Sequence, residues 1–154
     1  MMMGMILGGS IILVGCQPES EVNSEDAVIS GDQVPQIVQN VFAQKYPGRT
    51  PQWESQPYGY EAVFSENGIE YEVELSADGR WLETEYEVSS DEQFPAAVLD
   101  QVRSRYPGYQ ITKREIEITP KGVFYEVEVE NGSEEIELYF DGQGNLAENY
   151  HEDV

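Results

Sequence analysis

The chain has 154 residues, 40% hydrophobic and 11% aromatic, enough for one ordinary domain or two small ones and too ordered in composition for a disordered polypeptide. Its 30 acidic and 8 basic residues leave a net charge of −22. This argues against nucleic acid and against docking on anionic lipid through a basic patch, and leaves a cationic partner, divalent cations or plain solubility. One cysteine, Cys16, and one histidine, His151, exclude an intramolecular disulfide and all but exclude a zinc site of Cys and His ligands, which needs about four of them.

The first element in chain order is an address. Residues 1–14 are an apolar run with no Lys or Arg before it. It is shorter than the about 20 residues of a membrane span and has the length of a signal-peptide core. It ends in "LVGC", residues 13–16, which resembles the lipobox of bacterial lipoproteins. The resemblance implies that Cys16 is lipidated and becomes the first residue of the mature protein. A thioether-linked lipid with an acylated amine anchors firmly, because one acyl chain alone binds only marginally. Residues 17–31 are acidic and lack periodicity, so they are expected to form a flexible tether.

A repeat comes next. "QVPQIVQNVFAQKYPG" (33–48) aligns without a gap on "QFPAAVLDQVRSRYPG" (93–108). Val34, Val38, Val41, Phe42 and Tyr46 recur at helical spacing in the first copy, and Phe94, Val98, Val102 and Tyr106 in the second. Pro35 and Pro95 suit a first helical turn; Pro47 and Pro107 end the helix, and Gly48 and Gly108 turn the chain back. The expected repeats are residues 32–90 and 91–154.

Strands follow each helix. Residues 58–88 alternate apolar and polar side chains around Asn67-Gly68 and Asp78-Gly79. Residues 122–150 repeat the scheme around Asn131-Gly132 and Asp141-Gly142. A shorter first strand is expected near 52–56 and near 110–118. The fold class is therefore α+β, a tandem repeat of a helix followed by a three- to four-stranded antiparallel sheet. Tyr71, Val73 and Leu75 share one face with the helix; Glu70, Glu72 and Glu74 lie on the other, expected to look at water. Glu126, Glu128 and Glu130 likewise oppose Tyr125, Val127 and Val129. Leu82, Thr84, Tyr86 and Val88 share a face, which leaves Trp81 with Glu83 and Glu85.

These residues resemble a known family. Pro35, Tyr46-Pro47-Gly48, Glu72-Val73 and Asp78-Gly79, then Pro95, Tyr106-Pro107-Gly108, Glu126-Val127 and Asp141-Gly142, are similar to the PepSY-like lipoprotein family. That resemblance implies a fold like that of the β-lactamase inhibitor protein, a tandem of helix-plus-four-strand units, and a cell-envelope module that binds another protein. It brings no catalytic residues, and inhibition of β-lactamase does not follow from a shared fold.

Other sites fare poorly. Asp141, Gln143, Asn145 and Glu152 stand at calcium-loop positions, but Leu146 stands where such a loop needs glycine, so a hairpin turn is the better reading. No carboxylate pair stands out for glycoside cleavage, a lone His151 makes a catalytic triad improbable, and no phosphate-binding glycine loop occurs. The expected function is a non-catalytic envelope lipoprotein without a cofactor or metal. It binds an unidentified envelope protein or peptide, not nucleic acid, and meets the membrane only through its lipid. The expected surface is Glu70, Glu72, Glu74, Trp81, Glu83, Glu85, Glu126, Glu128 and Glu130, with Trp and Tyr among acids. The alternative is a structural or divalent-cation-binding envelope protein.

Overall fold

The computed structural model describes residues 27–148. Cys16 and the first ten residues of the expected tether, with His151 and Glu152, lie outside the described residues. The tether does not run to residue 31: Ala27–Ile29 forms a strand, β1, paired with residues 53–55. Ala, Val and Ile in a row supply a short β-prone stretch that the acids around it obscure.

A 3-10 turn at Gly31–Gln33 leads into α1, Gln36–Lys45, with Pro35 at its N-cap. Proline fits there because the missing N–H has no intrahelical partner. Strands β2 (Gln52–Gln56), β3 (Gly59–Glu66), β4 (Ile69–Ser76) and β5 (Trp81–Glu87) follow. The second half begins alike, with a 3-10 turn at Asp91–Gln93 and α2 at Ala96–Arg105 behind Pro95. It continues with β6 (Gln110–Thr119), β7 (Gly122–Asn131) and β8 (Glu134–Asp141). Both helices end at a tyrosine whose N–H bonds back one turn, Tyr46 to Phe42 and Tyr106 to Val102.

Turn chemistry sets the register. Asn67 (φ 54°) and Gly68 (φ 82°) are both left-handed, the geometry that matches a two-residue hairpin to the twist of its strands. The other Asn-Gly turns one residue later than its sequence predicts. Asn131 pairs with Glu134, so Gly132 and Ser133 form the loop. Asp141 behaves as a turn residue, its Oδ1 accepting from the backbone N–H groups of Gln143 and Asn145.

The eight strands of the described residues form one antiparallel sheet in the order β1 to β8. The join is β5 against β6, with Thr84 opposite Ile118 and Tyr86 opposite Ile116. Leaving these edges unpaired would expose a row of backbone donors and acceptors, and pairing them removes both edges.

The two helices lie on one face, each above its own apolar cluster. Under α1, Val38 and Phe42 pack with Ala62, Phe64, Val73 and Leu75. Under α2, Val98, Leu99 and Val102 pack with Val127, Val129, Leu138 and Phe140. Tyr71 and Tyr86 touch at the seam, ring centroids 4.8 Å apart. Thr84, 1% exposed, is the polar member: it meets the Tyr46 hydroxyl at 2.5 Å and accepts from Trp81 Nε1 at 3.0 Å.

Candidate functional site

The helix-free face carries rows of directly opposed glutamates. Glu54, Glu61, Glu74 and Glu83 run across β2 to β5. Glu72, Glu85 and Glu117 run across β4 to β6, and Glu87, Glu115 and Glu126 across β5 to β7. Opposed residues on neighbouring strands hold their Cβ atoms about 4.5–5.5 Å apart, where like charges destabilise the sheet. Sequence patterning produced this: strict alternation of Glu with apolar residues gives the helices their face and stacks the acids on the other.

The middle of that face does not look at water, contrary to expectation. Glu83, Glu117 and Glu126 are only 4%, 2% and 5% exposed. The rim, Glu70, Glu87, Glu130 and Glu135, stays open. Aromatic side chains share this face with the carboxylates. Phe124 and Tyr139 stack at 5.3 Å, and the Tyr139 hydroxyl donates to Glu117 at 2.5 Å. Tyr58 donates to Glu61 at 3.3 Å. Lys113 bridges Glu115 at 2.8 Å and Glu126 at 3.3 Å.

Burial raises the carboxyl pKa values first, and neighbouring carboxylates raise them further. Glu83 is pushed up to about 8 by burial and then by Glu74. Glu61 reaches about 7 by burial and the charges of Glu72 and Glu54. Glu126 also reaches about 7, burial outweighing the opposite pull of Lys113. Glu72 and Glu85 face one another across β4 and β5, and burial raises both; the charge of Glu115 raises Glu85 further. Burial would lower Lys113, but Glu115 and Glu126 hold it above its ordinary value.

Between β4, β5 and β6 the face opens into a groove of about 440 Å³ lined by Glu70, Glu72, Glu85, Glu87, Glu115 and Lys113. Carboxylate oxygens of Glu85 and Glu115, which line it, and of the buried Glu117 lie within 4.8 Å of one another, the arrangement among the described residues that could hold a metal ion.

The family model described as "Putative beta-lactamase-inhibitor-like, PepSY-like" matches residues 20–54 and 58–148. The chain belongs to this family. A BLIP-like protein from Bacteroides fragilis is 31% identical, with 74% of this chain and 83% of that one covered and a TM-score of 0.66. A DUF2874 family protein from Bacteroides ovatus is 24% identical, with coverage of 77% and 87% and a TM-score of 0.69. A protein from Bacteroides eggerthii described among "putative periplasmic proteins" is 18% identical, with coverage of 75% and 86% and a TM-score of 0.68. The last two show the fold alone. No curated protein matches the chain. The family is beta-lactamase-inhibitor-like, a non-catalytic kind. Among the described residues, no helix is long and apolar enough to cross a membrane.

Eight of the nine expected surface residues of this PepSY-like chain lie on the helix-free face: Glu70, Glu72, Glu74, Glu83, Glu85, Glu126, Glu128 and Glu130. Trp81 does not, and its placement is corrected. Glu74 faces Glu83 but Leu75 faces Trp81, so Leu82 is an extra residue in a β-bulge. The bulge turns Trp81 to the helix side, where Lys45 Nζ sits 3.4 Å from its ring centroid. Tyr86 packs at the seam on that side too. The aromatics of the acidic face are Tyr58, Phe124 and Tyr139. Sequence reasoning also missed Glu61, Glu115 and Glu117. The alternation in "YEAVF" and "REIEI" carries the signal.

Proposed function

We propose that the chain is a non-catalytic envelope lipoprotein that binds a basic segment of another envelope protein or peptide, in an inhibitor-like manner, through its acidic face. The groove between β4, β5 and β6 carries this reading: five glutamates line it and only one lysine. A Lys or Arg side chain entering it would relieve carboxylate repulsion, and complementary charge favours encounter and register. The anchor at Cys16 rests on the lipobox resemblance, and the relative described as periplasmic supports an envelope location. The tandem-repeat reading, residues 32–90 and 91–154, is supported by the recurring order of 3-10 turn, proline-capped helix and hairpin strands.

The test is charge reversal with Glu70→Lys and Glu72→Lys, followed by crosslinking in the native cell. The wild type should capture a partner with a basic segment, less well as salt rises, and the variant should lose it. An unchanged set of crosslinked proteins would count against this function. A second reading, a divalent-cation-binding envelope protein, is favoured by one observation, the converging oxygens of Glu85, Glu115 and Glu117.

A further inference from the structure

We propose that a cavity at one end of the β5–β6 seam binds an aromatic ring carrying a carboxylate, as a free acid or as the last residue of a peptide. The site is separate from the acidic face and opposite to it in charge. It opens where the two halves part. The β5–β6 ladder runs from the Glu87–Glu115 pair to the Thr84–Ile118 pair and ends there. Trp81 and Leu82 carry β5 past that end, and across from them the chain turns through Pro120 and Lys121 into β7. The space between is about 410 Å³, lined by Arg80, Trp81, Leu82, Pro120 and Lys121. Ligand sites commonly measure about 300–1,000 Å³ and favour such junctions between units.

Both walls are set before a ligand arrives. The Trp81 indole is held at two points: Nε1 donates to Thr84 at 3.0 Å, and Lys45 Nζ sits 3.4 Å from the ring centroid. The bulge at Leu82 brings two successive apolar side chains to the cavity, where strict alternation would send one away. On the other wall, Thr119 pairs with Gly122 and leaves Pro120 and Lys121 as a two-residue loop. The Lys121 N–H donates to Thr119 Oγ1 at 3.1 Å, and the proline ring fixes its own φ. Walls already ordered lose little freedom on binding.

Charge selects the ligand. The chain has 30 acidic and 8 basic residues, yet among the described residues no carboxylate lines this cavity and two of the basic ones do. Trp81, Leu82 and Pro120 offer apolar surface to a ring, and Arg80 and Lys121 offer a guanidinium and an ammonium to its carboxylate. Asp78 engages Arg80 through Nε, at 3.2 and 3.3 Å from its two oxygens, so the terminal nitrogens are those that would meet the ligand. The net charge of −22 repels an anion at long range. At about 0.15 M salt that repulsion is screened beyond about 8 Å, and the charges at the cavity decide.

The experiment titrates the isotopically labelled chain with N-acetylphenylalanine at about 0.15 M salt and follows the two indole N–H resonances by NMR. The Trp81 resonance, identified by its loss in Trp81→Phe, should shift along a saturable curve with a Kd of about 10⁻⁴–10⁻³ M, as suits a ligand of this size. The Trp53 resonance, from the cluster under α1, should stay in place. N-acetylphenylalanine amide lacks the charge and N-acetylglycine lacks the ring, so each should bind at least about tenfold more weakly. Arg80→Gln with Lys121→Gln should weaken the acid by a similar factor, and Arg105→Gln, on α2, should leave it unchanged. No saturable shift of Trp81 up to about 10 mM would overturn the site. So would equal binding of the amide, or binding that survives the double variant. A tetrapeptide of three alanines ending in phenylalanine separates the two sources. Tighter binding than N-acetylphenylalanine assigns the site to peptide chain ends, and equal or weaker binding assigns it to free acids.

Discussion

Glu61 shows at the scale of one residue what the acidic face costs. It faces Glu54 on one side and Glu74 on the other. Gln56 and Tyr58 donate to its Oε2 at 3.0 and 3.3 Å, and both bonds favour the charged form. Burial and the charges of Glu72 and Glu54 outweigh them, so the folded pKa rises from 4.5 to about 7. The folded state then binds the proton more tightly than the unfolded chain does. The resulting stabilisation is complete below the unfolded value and is lost as pH rises through about 7. In metal-free buffer, stability should therefore fall between pH 5 and pH 8. Glu61→Gln keeps the shape and removes the charge. After discounting for partial exposure, it should be about 1 kcal/mol more stable than wild type at pH 8, and less distinct from it at pH 5. Urea denaturation at the two pH values checks this, and a difference that ignores pH would refute it.

At the scale of elements, the two halves solve the same turn under different constraints. Gly59 opens β3 after Pro57-Tyr58 at φ 150°, and Gly122 opens β7 after Pro120-Lys121 at φ 148°. Both angles disfavour a side chain. A Cβ on Gly59 would also stand 2.4 Å from the Leu75 carbonyl oxygen and 2.6 Å from the Ala77 nitrogen, whereas one on Gly122 would meet nothing within 4 Å. Gly59→Ala should thus cost about 2–4 kcal/mol and Gly122→Ala about 1 kcal/mol, read from urea midpoints. Equal losses would show that backbone angle alone sets the cost. Such close approaches are invisible in the sequence, where both glycines read as turn residues. Much else at this scale was legible. The helices, the hairpins and the side of nearly every glutamate follow from period and punctuation. What failed has physical causes. Trp81-Leu82 breaks strict alternation, and two adjacent apolar residues are the mark of a bulge, yet alternation alone put Trp81 among the acids. Alternation assigns a face but does not say what covers it, so the burial of Glu83, Glu117 and Glu126 stayed hidden until the strands were side by side.

At the scale of the molecule, a chain of net charge −22 holds two apolar clusters on one sheet. The β5–β6 ladder and the Tyr71–Tyr86 contact join them. Each half alone would be near the size where a fold is marginal, about 60 residues. Losing one half would also strip β5 or β6 of its neighbour and leave Thr84, Tyr86, Ile116 and Ile118 against water. The halves should therefore unfold together. The placement of the tryptophans makes this testable: the chain has two, Trp53 and Trp81, and both pack in the cluster under α1. Tryptophan fluorescence thus follows the first half, while far-UV circular dichroism follows both. In urea at constant salt the two probes should give one superimposable transition, the mark of two-state unfolding. A fluorescence transition displaced from the dichroism transition would mean that each helix and its strands stand alone, with the seam a contact between two domains rather than the centre of one.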